Sequence, residues 1–514
     1  MKKFLILLCV VAQSLFAQAP KELKTIFEVA GQDSGALLGY YVKGVGDLNK
    51  DGYADVAVSA PGQLKTYIYY GGKTMSQTPS LTLQGGGAIA SGDFNGDGWI
   101  DLAIYKIYQD TVMIYFGKST MDSIPDKILA GKNFGDNGFG YNLAVGDING
   151  DGFDDLIASG SDTANRGKVY IFAGGLQIDT VPKVTLLGDT LRAGLGWDFA
   201  SGDINKDGKK DIVALGYNQL SFSGNDQYYY LSIFLGDSAF QLKRNYYIDS
   251  RNVPGGFKSH VACFDADGDG IDDILVNKIY IFKGGTHLDT LPTYYVAPPN
   301  NDTSNFGSYP WVSGGGDFNR DGAKDILVSS TQGYFGGVPG VFLMLDRKNH
   351  PGQYVAYRVY TDYWTESLDG RPENAGDVNG DGIDDIIIGG PDAFLHQEGI
   401  FGIYSGDTSL VTTVENGANS RPESFELNQN FPNPFNPSTV ISYQLSASSK
   451  VVLKIYDSLG RIIATLVNEQ QAAGKHTVLW NGVDENGNHV SSGVYYYQLI
   501  IPSGAQAKKA ILIK

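Results

Sequence analysis

Short apolar runs recur along the chain at nearly even intervals: Val56-Ala57-Val58, Leu102-Ala103-Ile104, Leu156-Ile157-Ala158, Ile212-Val213-Ala214, Ile274-Leu275-Val276, Ile326-Leu327-Val328 and Ile386-Ile387-Ile388. Continuous apolar runs this short, bounded by turn residues, predict strands covered on both faces. A second strand follows in most copies and ends aromatic-Gly, at 67–71, 112–117, 169–174, 279–284 and 402–406. A third segment comes next, at 79–83, 127–129 or 184–187. One further strand precedes each run, which makes four short strands per unit. Four strands repeated seven times predict an all-β fold, a seven-bladed β-propeller over residues 22–407. The competing arrangement, a linear β-solenoid, is built from shorter coils. Closing such a ring needs a strand from each end of the chain. Residues 23–30, which resemble 183–188, are expected to complete the last blade beside the strand near 400–404. The rival closing strand is 410–414.

Each doubly apolar run is preceded by one nonapeptide, Asp-x-Asn/Asp-x-Asp-Gly-x-x-Asp, starting at Asp47, Asp93, Asp147, Asp203, Asp265, Asp317 and Asp377. The starts lie 46 to 62 residues apart, with a mean of 55. Positions 1, 3, 5 and 9 carry oxygen side chains in every copy. Position 6 is always Gly, which allows the bend that wraps a loop around an ion. Alternate oxygen donors in a tight loop suit a hard cation, calcium above all, and the carbonyl of position 7 can add a ligand. The candidate ligands are as follows. Loop one offers Asp47, Asn49, Asp51, Asp55 and the Tyr53 carbonyl; loop two Asp93, Asn95, Asp97, Asp101 and Trp99; loop three Asp147, Asn149, Asp151, Asp155 and Phe153. Loop four offers Asp203, Asn205, Asp207, Asp211 and Lys209; loop five Asp265, Asp267, Asp269, Asp273 and Ile271. Loop six offers Asp317, Asn319, Asp321, Asp325 and Ala323; loop seven Asp377, Asn379, Asp381, Asp385 and Ile383. Up to seven calcium ions are thus expected. An EF-hand needs a Glu at position 12. That position holds Val58, Ile104, Ala158, Ala214, Val276, Val328 and Ile388, so the EF-hand reading fails. Lys206, Lys209 and Lys210 crowd loop four and should weaken it. Asp154, Asp272 and Asp384 add negative charge beside loops three, five and seven.

Charge agrees with this. The formal net charge is -17 over 514 residues, a poor match for nucleic acid, whose phosphates need basic surface. The acid is concentrated before residue 421, where the loops lie.

The repeats resemble the FG-GAP (VCBS-type) repeats of integrin alpha propellers. Phe139-Gly140, Leu195-Gly196 and Phe306-Gly307 before the loops, and Ala60-Pro61 or Gly390-Pro391 after them, carry the resemblance. It implies calcium bound in these loops on the propeller rim. Blade two departs with Gly85-Gly86-Gly87, blade seven with Arg371-Pro372-Glu373, and Phe264 replaces the Gly found before the other six loops.

A linker is expected at 408–424, after which the style changes. Strand-like segments at 440–445, 451–456, 477–480 and 494–500, with turns at 458–461 and 484–487, predict a small immunoglobulin-like β-sandwich over 425–514. This stretch resembles the C-terminal sorting domains of the type IX secretion system, related to the flagellar hook-cap immunoglobulin-like fold. Asn430-Phe431-Pro432-Asn433-Pro434-Phe435-Asn436-Pro437, Ile455-Tyr456-Asp457, Gly460-Arg461, Gly493-Val494-Tyr495 and the basic Lys508-Lys509 carry the likeness. It implies that the type IX machinery is a partner and that the chain is secreted or surface-attached in a Gram-negative bacterium. An ordinary adhesive sandwich is the alternative.

Lys2, Lys3 and the apolar 4–12 read as a signal peptide cut after Ala17. No later segment is apolar enough to span a membrane, so no transmembrane segment is expected in the mature chain. Cys9 leaves with the leader, and Cys263 is then alone and forms no internal disulfide. No nucleophile elbow, HExxH or phosphate loop occurs. The six histidines show no metal-ligand spacing, and the Tyr clusters read first as strand packing. The expectation is a surface binding or adhesion module for an unidentified extracellular protein or glycan, not an enzyme. A lyase-like polysaccharide enzyme using the central channel is the alternative.

Overall fold

The computed structural model describes residues 23–513 apart from breaks, the longer ones being 220–226, 296–310, 331–339, 347–353, 360–370 and 411–424. The expected leader and most of the 408–424 segment lie outside the described residues. Among the described residues there are no α-helices, only strands and three short 3-10 turns, and no helix is long and apolar enough to cross a membrane. Contacts divide the chain into a unit ending at Thr413 and a second beginning at Val414.

The first unit holds seven four-stranded antiparallel sheets. Sheet one runs Val42–Gly46, Asp55–Ala60, Lys65–Tyr69 and Leu81–Gln84. The next five repeat this order and begin at Gly86–Gly92, Leu143–Gly146, Asp198–Gly202, Val261–Phe264 and Val312–Gly316. Sheet seven is Pro372–Gly376, Asp385–Gly390 and Ile400–Tyr404, with Thr25–Ala30 as its fourth strand. There Glu28 lies opposite Gly402 and Ala30 opposite Ile400. Leu410, in the rival closing segment, instead lies buried with Leu23 between sheets six and seven.

The second strand of each sheet shows why its sequence is apolar on both faces. Along Asp385–Gly390, Ile386 and Ile388 pack toward sheet six and Ile387 toward sheet one. Each such fully buried aliphatic side chain contributes roughly 1.5–3 kcal/mol. Apolar clusters fill the spaces between successive sheets: one and two, two and three, and onward to six and seven. A further cluster joins Val56, Val58 and Tyr69 of sheet one to Ile387, Phe401 and Ile403 of sheet seven. The first strands touch in the same cyclic order, Pro372–Gly376 meeting both Val312–Gly316 and Val42–Gly46. The fourth strands alternate, as in Val184–Leu187, where only Leu186 is buried.

The second unit has a three-stranded sheet, Phe425–Leu427, Thr439–Leu445 and Gly474–Trp480. Its other sheet has four strands in the order Ile462–Gln471, Ser449–Asp457, Gly493–Ile501 and Gly504–Leu512. Ile441, Tyr443 and Trp480 from one sheet share a core with Leu453, Ile455, Tyr497 and Leu499 from the other. Strand alternation aims these residues inward, as a two-layer sandwich requires.

Candidate functional site

All seven nonapeptides fold alike, each between the first and second strands of its sheet. The position-1 aspartate organises the turn. Its Oδ1 accepts from the N–H of position 5 at 3.0–3.1 Å, and its Oδ2 from the N–H of the position-6 glycine at 2.7–3.0 Å. The position-5 aspartate then accepts from the N–H of position 7, at 2.8–3.0 Å. The position-6 glycines sit at φ +79° to +91°. Position 4 is left-handed too, and the sequence reading missed it. Gly96, Gly150, Gly268 and Gly380 adopt that conformation freely, while Lys50, Lys206 and Arg320 are held in it at φ +59° to +60°.

Position 9 plays a different part. Asp55, Asp101, Asp155, Asp211, Asp273, Asp325 and Asp385 are completely buried. In each, Oδ2 accepts from the N–H of position 2 at 2.8–3.0 Å. In Asp55, Asp101, Asp155, Asp211, Asp273 and Asp385, Oδ1 also accepts from a glycine N–H just past the third strand, at 2.7–3.2 Å. Position 2 is itself a buried apolar anchor: Leu48, Phe94, Ile148, Ile204, Ala266, Phe318 and Val378. Burial pushes the carboxyls of Asp55, Asp101, Asp155, Asp211, Asp273 and Asp385 up to about 7 against the lowering effect of these N–H groups, and the carboxylates of the same loop add to the rise.

In loop five Asp265, Asp267 and Asp269 bring carboxylate oxygens within 4.8 Å of one another. Asp267 is 3% exposed, and its buried Oδ1 has no hydrogen-bond partner. That orphaned oxygen is what a hard cation would satisfy, so the donor set fits calcium. In loops one to four and loop six the position-3 asparagine Nδ2 points at the position-5 carboxylate, at 2.8–3.1 Å. The Oδ1 of the same amide accepts from the position-5 N–H at 2.8–3.1 Å, so the loop itself fixes which way the amide faces. Lys283 takes the corresponding place in loop five, its Nζ pairing with Asp267 and, at 2.9 Å, with Asp269. In loop four Lys209 Nζ lies 3.1 Å from Asp207. A bound cation would neutralise these carboxylates and tie positions 1, 3 and 5 to the carbonyl of position 7.

The extra aspartates at position 8 act across sheets and not in their own loops. Asp154, Asp272 and Asp384 accept from the N–H groups of Asp93, Asp203 and Asp317, which open the preceding loops, at 2.8–2.9 Å. Backbone bonds follow the same path: the N–H of Lys210 donates to the carbonyl of Asp147 and that of Ala54 to the carbonyl of Asp377.

The opposite ends of the first strands surround a cavity of about 370 Å³ lined by all seven sheets. Just before these strands stand Tyr41, Tyr141, Trp197, His260, Trp311 and Arg371, none chosen by the sequence reading. Tyr141 shares hydrogen bonds with Tyr40 and Tyr41. His260 stacks on Trp311 with ring centroids 3.6 Å apart, and its Nδ1 lies 3.2 Å from Asp198. The residue types differ from sheet to sheet, so no repeat flags them. The only signal was Arg371 standing out of pattern in blade seven.

Residues 47–104 match the FG-GAP-like repeat, residues 139–172 the FG-GAP repeat, and residues 435–500 the FlgD Ig-like domain. Integrin alpha-5 of Xenopus laevis is 32% identical over 38% of this chain and 19% of its own length. Phosphatidylinositol-glycan-specific phospholipase D of Rattus norvegicus is 28% identical over 32% of this chain and 21% of its own. The chain thus spans about a fifth of the length of the curated relatives it matches. Among solved structures, PorZ, a surface component of the type-IX secretion system of Porphyromonas gingivalis, covers 95% of this chain and 93% of its own at 12% identity and a TM-score of 0.19. The first unit carries FG-GAP repeats of the β-propeller type found in integrin alpha chains, and the second carries an FlgD Ig-like domain.

Proposed function

We propose that the seven sheets are the blades of one closed propeller, that its loops hold up to seven calcium ions, and that this ring is an extracellular binding or adhesion module. The Thr25–Ala30 strand closes the ring, and residues 425–514 are a sorting domain addressed to the type IX secretion machinery. The leader at 1–17 is lost on export, and the product is secreted or held on the outer surface of a Gram-negative bacterium. The module binds a protein or glycan and carries no catalysis.

The observation that carries this reading is the loop skeleton. Seven loops share one hydrogen-bond pattern built on positions 1 and 5, and in loop five the oxygens of positions 1, 3 and 5 converge with one of them buried and unpartnered. Turn formation alone does not demand that arrangement. Calcium stoichiometry on the purified chain, by dialysis and elemental analysis, tests it. Several ions per chain are expected; fewer than one would overturn the calcium assignment. Expression in a type IX-competent bacterium with and without residues 425–514 tests the address. Surface delivery of both forms would overturn that part.

A further inference from the structure

At the channel mouth the Arg371 guanidinium lies between aromatic rings from its neighbours. It sits 4.1 Å from the Tyr41 ring, 4.1 Å from the Trp311 ring and 4.8 Å from the Tyr40 ring. Its Nη1 is buried and has no hydrogen-bond partner. Aromatic faces stabilise a cation without using its N–H donors. The cage therefore holds a planar charged fork in place and leaves a donor unmet that a matching acceptor would satisfy. Nearby, Lys43 pairs with Glu373 at 3.2 Å, and Asp198 lies 3.2 Å from His260 Nδ1.

We propose that Arg371 is the anchor of a carboxylate-binding subsite at the channel mouth, and that its ligand is a uronic-acid unit of an acidic polysaccharide. This rests on the reading of the first unit as a binding module and specifies the end that binds. A planar guanidinium recognises a carboxylate through paired N–H donors. Beside it Tyr141 offers a flat ring that is 45% exposed, and Trp197, ahead of the first strand of sheet four, offers another at 50%. Sugar rings present flat C–H faces to such aromatics and hydroxyls to groups such as Asp198 and Asn142. The cavity volume is that of a small-ligand pocket, enough for one or two sugar units at the mouth. An acidic peptide shares the carboxylate but gains less from separate flat rings, so it stands as the rival occupant.

The test uses the full mature chain in saturating calcium. Binding is measured by calorimetry with a glucuronic-acid-containing tetrasaccharide, its methyl ester and an aspartate-rich peptide. The acid is expected to bind at least tenfold more tightly than the ester. Arg371→Met should lose at least tenfold, while melting temperature and calcium stoichiometry stay unchanged. Should that variant fail to fold, Tyr141→Ala, whose half-exposed ring lies beside the Arg371 cage, carries the test and should lose several-fold. Equal binding of acid and ester, preference for the peptide, no binding at millimolar tetrasaccharide, or wild-type affinity in the variant that folds would each overturn the proposal. A neutral glycan bound equally by wild type and R371M would overturn it too, while leaving the binding-module reading intact.

Discussion

The first strands of the seven sheets lead at one end into a repeated loop and begin at the other in a residue that is never the same from one neighbour to the next. At the loop end every sheet carries the same four oxygen positions and the same bonds from Asp47 to Gly52 or from Asp377 to Gly382. At the mouth stand Tyr41, Trp197, His260, Trp311 and Arg371, held by ring contacts and by the His260–Asp198 contact. The repeated end ties neighbouring sheets through backbone groups. The varied end touches mostly side chains and open space. A scaffold can hold one end constant and change the other freely when the two do not share bonds. Function is expected where the pattern breaks.

Metal removal gives the largest break in this comparison. With free calcium at ten times its dissociation constant, each independent site adds about 1.4 kcal/mol, or roughly 10 kcal/mol for seven. Excess chelator should lower the melting temperature by on the order of 10 °C or more, read by differential scanning calorimetry. An unchanged melt would break the assignment of stability to the loop end. Next is Asp155→Ala, which strands the buried N–H groups of Ile148 and Gly174. Its cost should be about 2–4 kcal/mol by denaturant titration, with or without calcium. A loss seen only with calcium would make position 9 a ligand alone and not a strut.

The pH dependence should change sign with metal. In chelator, the folded chain holds protons on Asp55, Asp101, Asp155, Asp211, Asp273 and Asp385 up to about pH 7, where the unfolded chain has released them. The folded values are raised, so this stabilisation is complete below about pH 4 and is lost as pH climbs through 7. The melting temperature in chelator should therefore be higher at pH 5 than at pH 8. Saturating calcium, which competes with protons, should reverse that order. A melt in chelator that rises with pH would contradict the burial argument. Lys283→Met should then tighten calcium at loop five. Removing an ammonium beside Asp267 and Asp269 is worth about 1 kcal/mol at the solvated limit, roughly fivefold in affinity. Unchanged affinity would mean that Lys283 swings clear at no cost. Smallest of all, Trp197→Ala at the mouth should shift stability by no more than about 0.5 kcal/mol. A large loss there would erase the contrast between the two ends.

The loops, the strand order and the strand Thr25–Ala30 beside Ile400–Tyr404 could be read from sequence because each rests on a local or repeated signal. Oxygen at alternate positions with glycine at 52, 98 or 152 is visible in nine letters. What each oxygen touches is not. Position 9 looks like its three partners in the alphabet, yet burial turns it toward the backbone of position 2. Asp154, Asp272 and Asp384 looked like extra charge for their own loops, but the neighbouring sheet receives them. Lys283 lies outside the nonapeptide and reaches loop five only because the third strand returns beside it. The channel mouth was illegible for the same reason: Arg371 meets Tyr41 and Trp311, which line one cavity, only when sheets distant in sequence converge.

The pairing of Thr25–Ala30 with Ile400–Tyr404 also sets an order of events in time. The stretch of the first unit made earliest has no partner until nearly all of that unit has been synthesised, so its edge waits exposed while six sheets assemble. A chain threaded across a membrane before that last pairing would travel as an open, pliable array. Sheet seven would gain its fourth strand only on the far side.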